Sequence, residues 1–302
     1  MSTEKSAFIA IVGRPNVGKS SILNKILGQK ITIVSSKPQT TRNRIIGVYN
    51  HGDTQLVFID TPGLHKPHNS LGEYMVRSVK ESVGGVDACL LVAECDRLPG
   101  DTEKQLMERF KAQHIPAVLA LNKIDKLSDK SALMEKLAAY SQEYDFDDIV
   151  PVSAQTGSGI NDLLKVLEKQ ADECRHFFDD DALTDQPDRV LAGEIVREKI
   201  LRLTDKEIPH GAAVVVERFK QRDGSDVTDV DATIYCERAG HKGILIGKNG
   251  SMLKKIGTYA REDMERFFGC RINLRLWVKV KENWRDREDI LRSLGFDPSN
   301  FD

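Results

Sequence analysis

Residues 13–20 carry the most specific chemistry in this chain: Gly13-Arg14-Pro15-Asn16-Val17-Gly18-Lys19-Ser20 is a complete G-x-x-x-x-G-K-S loop. Its glycines let the backbone curl, so that successive amide N–H groups form a nest for phosphate oxygens. Lys19 is spaced to reach β- and γ-phosphates, and the Ser20 hydroxyl to ligate Mg2+. The pattern predicts a grip on a nucleoside triphosphate with magnesium.

Three further segments sharpen that reading. Asp60-Thr61-Pro62-Gly63 is a D-T-P-G sequence in which Asp60 is placed to hold magnesium, usually through water, and the Gly63 N–H to bond the γ-phosphate. Leu64 follows it. Asn122-Lys123-Ile124-Asp125 is an N-K-x-D sequence. The Asp125 carboxylate can accept from guanine N1–H and its exocyclic amine together, whereas adenine would leave it unpaired. Asn122 is expected to bond guanine N7 and brace the loop, and the Lys123 stem to stack on the base. In Ser153-Ala154-Gln155 the Ala154 N–H could reach guanine O6. The stretch Lys37-Pro38-Gln39-Thr40-Thr41-Arg42 offers a threonine that ligates magnesium only while the γ-phosphate is present. Thr41 is favoured, with Thr40 as the alternative. The expected metal set is Ser20, Thr41 and Asp60, and the expected catalytic set is Lys19, Thr41 and Gly63, to which the resemblance given below adds Asn16.

A different chemistry occupies residues 242–281, which hold ten basic and three acidic residues, a local balance of +7 hidden by a total charge of −2. Clustered positive charge is a footprint for phosphate contacts. Within it, Gly247-Lys248-Asn249-Gly250 is a G-x-x-G turn followed by Lys254 and Lys255. Such a turn lets backbone approach a sugar–phosphate chain closely, and the helix after it adds partial positive charge. Trp277, between Arg275 and Lys279, either stacks on a base or packs on a neighbouring element.

Elements must position these residues. A chain of 302 residues with 40% hydrophobic and 30% charged content fits about two soluble domains. Apolar runs at Phe8–Val12, Leu56–Ile59, Ala88–Ala93, Ala117–Leu121 and Ile149–Val152 read as five buried parallel strands. They alternate with helical patterns at Ser20–Leu27, Met75–Val83, Glu103–Lys111 and Ser131–Tyr144. This alternation predicts an α/β, doubly wound P-loop sheet with its motifs at the carboxyl ends of strands. Asp172 to Asp188, rich in aspartate, reads as a solvated linker that Phe177 and Phe178 could anchor. Beyond it a helix, two strands, helical segments around the G-x-x-G turn and a final strand at 271–280 predict a smaller α+β domain. In that last strand Ile272, Leu274, Leu276, Val278 and Val280 should face the core. The expected limits are 1–174, a linker over 175–190, and 191–302. The five cysteines show no C-x-x-C pair and read as free thiols. The polar N-terminus lacks a signal-peptide pattern, and no apolar run approaches the ~18 residues of a membrane span.

Taken in order, the nucleotide motifs over about residues 5–172 resemble the translation-factor-related GTPase superfamily. Leu64 departs from members that carry a water-positioning glutamine there, so intrinsic turnover should be slow. In related GTPases with a hydrophobic residue at this place, an asparagine matching Asn16 helps bind K+; the alternative is an asparagine that only bonds backbone. The G-x-x-G segment and its preceding helix and hairpin resemble a type II KH domain, a module that clamps about four single-stranded nucleotides. Together, G-R-P-N-V-G-K-S, Q-T-T-R, D-T-P-G-L-H, N-K-I-D, S-A-Q-T-G and L-W-V-K-V-K-E-N-W resemble the Era family. That resemblance implies a monomeric, cytoplasmic GTPase that binds GTP and GDP with Mg2+. It also implies binding near the 3′ end of 16S rRNA, a part in 30S subunit assembly and rRNA maturation, and peripheral association with the cytoplasmic face of the inner membrane. The residues alone also admit a non-catalytic GTP-holding RNA scaffold, or a signalling GTPase acting on protein partners.

Overall fold

A computed structural model describes residues 3–296 apart from 36, 38, 65, 66, 68, 128 and 129. Pro38 and His65, which belong to two of the motifs above, lie outside the described residues, as does the chain from 297 onward. The chain forms two compact units. One comprises Met1–Thr32, Thr41–Pro67 and Met75–Asp185; the other comprises Ile33–Thr40, His68–Tyr74 and Gln186–Asp302.

The first unit runs β1 (Lys5–Val12), α1 (Lys19–Leu27), β2 (Ile45–His51), β3 (Thr54–Asp60), α2 (Ser70–Val83), β4 (Ala88–Glu94), α3 (Asp101–Gln113), β5 (Ala117–Asn122), α4 (Lys130–Glu143), β6 (Asp148–Pro151), α5 (Ile160–Glu168) and β7 (Asp172–Glu173). Its sheet has the order β2-β3-β1-β4-β5-β6, with β7 added to β1. Strands β1, β3, β4, β5 and β6 are parallel, as the five apolar runs predict. Ile9 to Val12, Leu90 to Ala93 and Val118 to Leu121 are fully buried, because helices cover both faces. The chain moves from β1 to one side, then to β4 on the other. The carboxyl ends of β1 and β4 therefore flank the switch point where such sheets take ligands.

Helix α5 and a last helix over Glu288–Ser293 are elements the sequence reading did not name, and two further departures bear on the site. Strand β2 pairs antiparallel with β3 through a tight turn at Gly52, φ +59°. Its apolar stretch, Ile45 to Tyr49, is interrupted by Gly47, and only three of its seven residues are buried. A Cβ at Gly47 would meet the Leu23 and Leu27 side chains at 2.9 Å. The second departure is the segment expected as a solvated linker, which is strapped along the first unit instead. Asp172 and Glu173 pair with β1. The buried Gln55 accepts from the Phe177 and Phe178 N–H groups at 2.8 and 3.0 Å. Phe177 packs on Phe8 with ring centroids 4.6 Å apart. Further along, the Thr184 hydroxyl donates to the Ile46 carbonyl at 2.6 Å.

The second unit runs α6 (Asp188–Leu203), β8 (Ala212–Gln221), β9 (Val227–Cys236), α7 (Ala239–Ile246), α8 (Ser251–Phe268), β10 (Arg271–Val280) and α9 (Glu288–Ser293). Its sheet has the order β10-β9-β8, with β8 antiparallel and β10 parallel to β9. Helices α6, α7 and α8 cover one face around Val196, Ile200, Val230, Ile234, Ile256 and Met264. Ile272 and Val278 of β10 are buried in that core, and Leu274, Leu276 and Val280 pack against it. The predicted α/β sheet followed by a smaller α+β unit is thus the architecture that forms. After β10, the buried Trp284 donates its indole N–H to the Gly211 carbonyl at 2.9 Å. All five cysteines are free. Among the described residues no helix is long and apolar enough to cross a membrane.

Candidate functional site

The 13–20 loop follows β1 and leads into α1. Two of its glycines are required by space as well as by backbone angle. A Cβ at Gly13 (φ +144°) would lie 2.3 Å from the Val92 carbonyl oxygen, and one at Gly18 (φ +104°) 2.1 Å from Asn122 Nδ2. Lys19 is buried, and its Nζ donates to the carbonyls of Gly13 and Arg14 at 3.2 and 3.0 Å. Burial lowers the Lys19 pKa to about 8, partly offset by the Asp60 carboxylate. The loop is thus closed over its own lysine, with the α1 N-terminus opening into it.

Three oxygen-bearing side chains converge beside this lysine. The Ser20 hydroxyl donates to Asp60 Oδ2 at 2.6 Å and lies 2.9 Å from the Thr41 hydroxyl. The second Asp60 oxygen, Oδ1, is buried without a hydrogen-bond partner among the described residues. Burial raises the Asp60 pKa to about 6, against the opposing pull of Lys19 and the Ser20 and Thr41 hydroxyls. Two hydroxyls and a carboxylate with one unsatisfied oxygen are a donor set suited to a small hard cation, so the residues present fit magnesium. Thr40 is engaged elsewhere, donating to the Lys37 carbonyl at 2.6 Å.

The D-T-P-G segment lies against the loop. The Thr61 hydroxyl donates to the Ile11 carbonyl at 2.7 Å, and the Leu64 N–H to the Gly13 carbonyl at 3.1 Å. A Cβ on Gly63 would come within 2.5 Å of the Pro15 nitrogen, so only glycine allows this approach. Pro62 lies between these two contacts. The Leu64 side chain packs on the core and lines a groove with Val76, Val79 and Leu106.

On the other side of the loop, Asn122 braces two segments: Nδ2 donates to the Val17 carbonyl at 2.8 Å, and Oδ1 accepts from the Ala154 N–H at 3.0 Å. Lys123, at φ +69°, donates to the Asn16 carbonyl at 2.8 Å and pairs with Glu94. The Ile124 N–H bonds the Val152 carbonyl at 3.3 Å. Asp125 is exposed and accepts from the Ser153 hydroxyl. The N-K-x-D and S-A-Q segments therefore meet at one edge of the phosphate loop.

Two residues that support the loop were not singled out in the sequence. Glu94 ends β4 and holds Lys123. Glu103 is 0% exposed, pairs with Arg14, and accepts from the Gly100 N–H at 3.2 Å to cap α3. The only sequence signal for Glu103 is its place as the third residue of a helix start.

In the second unit, α7 ends at a turn built for glycine. Gly247 has φ +73°, and a Cβ there would lie 2.8 Å from the Met252 nitrogen. Asn249 and Gly250 also have positive φ, at +53° and +76°. Lys248, Asn249, Lys254 and Lys255 are exposed around the turn. Beside it, a groove of about 420 Å³ is floored by Leu253, Gly257, Leu274 and Leu276 and rimmed by Lys254 and Arg261. An apolar floor with a cationic rim suits unstacked bases on a phosphate chain. Trp277 lies on the opposite face of β10 and is 45% exposed.

The second unit also holds residues 33–40, just before Thr41, on polar groups of α6. Arg197, buried and paired with Glu194, donates to the carbonyls of Gln39 and Thr40. Glu198 accepts from the Val34 N–H at 3.2 Å, and Lys37 pairs with Asp205 at 2.9 Å. On the same helix Lys199 pairs with Glu198 and with Asp263 of α8.

Both units resemble known proteins. Residues 8–123 match a family model described as 50S ribosome-binding GTPase, and residues 207–285 match a KH domain model. The chain is 47% identical to GTPase Era of Clostridioides difficile (strain 630), over 97% of this chain and 98% of that one. It is 46% identical to GTPase Era of Alkaliphilus oremlandii (strain OhILAs), over 98% and 100%. A crystal structure of Era with MgGDPNP and nucleotides 1506–1542 of 16S ribosomal RNA superposes with a TM-score of 0.93 at 36% identity, covering 97% of this chain and 99% of that one. A variant of Aquifex aeolicus Era bound to GDP and AlF4− gives the same values.

Proposed function

The chain belongs to the Era family of GTPases, and from that premise we propose that it is a magnesium-dependent guanine-nucleotide switch whose state sets the affinity of its KH domain for single-stranded rRNA. The convergence of Ser20, Thr41 and Asp60, with Asp60 Oδ1 unsatisfied, carries the reading. Magnesium, when bound, neutralises phosphate charge at these oxygens. Lys19 leaves the carbonyls of Gly13 and Arg14 for the phosphates, with Arg14 still held by Glu103. Thr41 and the Gly63 N–H answer to the γ-phosphate. Asp125 selects guanine, and Asn122 and Ala154 hold the base loop in place. Leu64 has no hydrogen-bonding group to orient water, so turnover is slow without a further positive charge. Asn16, exposed on the loop, is the residue to supply a K+ ligand; equal GTPase rates in sodium and potassium at matched ionic strength would exclude that.

Thr41 directly follows Thr40 in the chain, and α6 holds the Thr40 carbonyl. Ordering of Thr41 is thereby passed to α6 and, through Lys199–Asp263, to the helix behind the RNA groove. The RNA is a single strand from the 3′ region of 16S rRNA; the related Era structure holds nucleotides 1506–1542 of 16S ribosomal RNA. The role is in assembly of the 30S subunit and maturation of its rRNA, in the cytoplasm, by a monomer whose membrane contact is peripheral. Residues 1–174 form the GTPase module and 191–302 the KH module. Crosslinking to 16S rRNA with base-level mapping tests the reading: crosslinks should fall at Gly247–Gly250 and Lys254-Lys255 and change between GTP-analogue and GDP states. Crosslinks that ignore nucleotide state would contradict it.

A further inference from the structure

Trp277 is not used by either site. The chain has two tryptophans. Trp284 is fully buried and hydrogen-bonded, whereas Trp277 is 45% exposed. Exposure follows from strand geometry: Ile272, Leu274, Leu276 and Val278 face the core, so Trp277 stands on the outer face. In register beside it are Thr233 of β9 and Val215 of β8, a base of short side chains for a flat ring.

The charges around this indole favour a polyanion. Arg275 is held by a two-pronged pair with Asp231 at 2.7 and 2.9 Å, yet its side chain is half exposed. Lys279 is exposed and makes no ion pair among the described residues. Of the acidic residues on this face, Asp231 is engaged by Arg275 and Asp229 by Arg222, whereas Glu217 of β8, near Tyr235, is exposed and makes no ion pair among the described residues. Lysine is depleted at protein–protein interfaces, whereas an aromatic ring between cations is the pattern of single-strand binding. The face is also continuous with the groove described above. Strand β10 is the sheet edge; Leu274 and Leu276 line the groove on one side, and Arg275, Trp277 and Lys279 stand on the other.

We propose that the outer face of β10 is a second single-stranded RNA contact. Trp277 stacks on a base of the strand that leaves the groove over the β10 edge, while Arg275 and Lys279 hold the flanking phosphates. This rests on the groove itself binding RNA. The test is titration of the full chain with a four-nucleotide and a sixteen-nucleotide RNA, following tryptophan emission and affinity. Trp284 is shielded, so quenching reports Trp277. The longer RNA should quench emission and the shorter one should not. Trp277→Ala should weaken the longer RNA by about 5- to 150-fold and leave the shorter one unchanged, while Trp277→Phe keeps most of the affinity. Lys279→Ala should lower the salt dependence of binding by about one ion. The proposal is overturned if Trp277→Ala binds the longer RNA like wild type while replacement of Lys248 and Asn249 by aspartate abolishes binding. The groove reading then survives, and the face serves another partner. If those aspartates leave binding intact, the groove reading fails instead; quenching and loss at Trp277 would still support the platform.

Discussion

Asp60 is a fully buried carboxylate with one oxygen satisfied by the protein and one left over. Its pKa is raised by burial to about 6, above the usual 3.8. A carboxyl group raised in this way contributes stability below its unfolded pKa and loses it as pH rises through the folded one. In chelator and without nucleotide, wild type should therefore lose on the order of 3 kcal/mol relative to Asp60→Asn between about pH 3 and pH 7. Urea unfolding of both proteins across that range would measure it, and parallel curves would contradict it. Glu103 supports the loop from behind. Glu103→Ala leaves Arg14 unpaired in a largely buried site, for an expected loss of about 3–5 kcal/mol. Guanine-nucleotide affinity should fall with it, and both should recover in part in Glu103→Gln; calorimetry on the three proteins would show this. At this scale legibility followed sequence distance. Gly13, Gly18 and Lys19 act within one turn of chain, and their spacing alone announced them. Glu103 meets Arg14 across 89 positions, and a glutamate in a first helical turn looks like an ordinary cap.

Among the elements, strands buried on both faces were readable because burial demands continuous apolar sequence. Edge elements were not. Only three of the seven residues of strand β2 are buried, and the 172–185 strap is held mainly by backbone groups, which carry no side-chain signature. Gln55 is its principal anchor, taking both phenylalanine N–H groups and donating to the Phe178 carbonyl at 2.9 Å. Gln55→Ala would strand these buried groups at a cost of about 2–4 kcal/mol. Limited proteolysis should then cut within 176–183 much faster than in wild type, with the rest of the first unit intact. In the second unit, the alternation of β10 was legible residue by residue, since a strand with one face on a core must alternate. Whether Trp277 was covered could not be read, because cover comes from elements distant in sequence.

For the whole molecule, the nucleotide and RNA motifs were each legible, but nothing in their spacing linked them. The link on offer is the 33–40 segment, held by Arg197 and Glu198 and followed directly by Thr41. Neither residue belongs to a motif, and both meet their partners across more than 150 positions. If α6 transmits nucleotide state, Arg197→Ala should bind guanine nucleotide and RNA separately yet show less than half of the wild-type coupling free energy. Coupling between two ligands is reciprocal, so either can be titrated. The most direct measurement is the affinity of a single-stranded RNA from the 16S 3′ region for this chain, saturated in turn with GDP and with a non-hydrolysable GTP analogue in magnesium. A switch predicts affinities that differ by at least about fivefold, with the same ratio when nucleotide affinity is measured with and without RNA. Equal RNA affinities in the two states would contradict it.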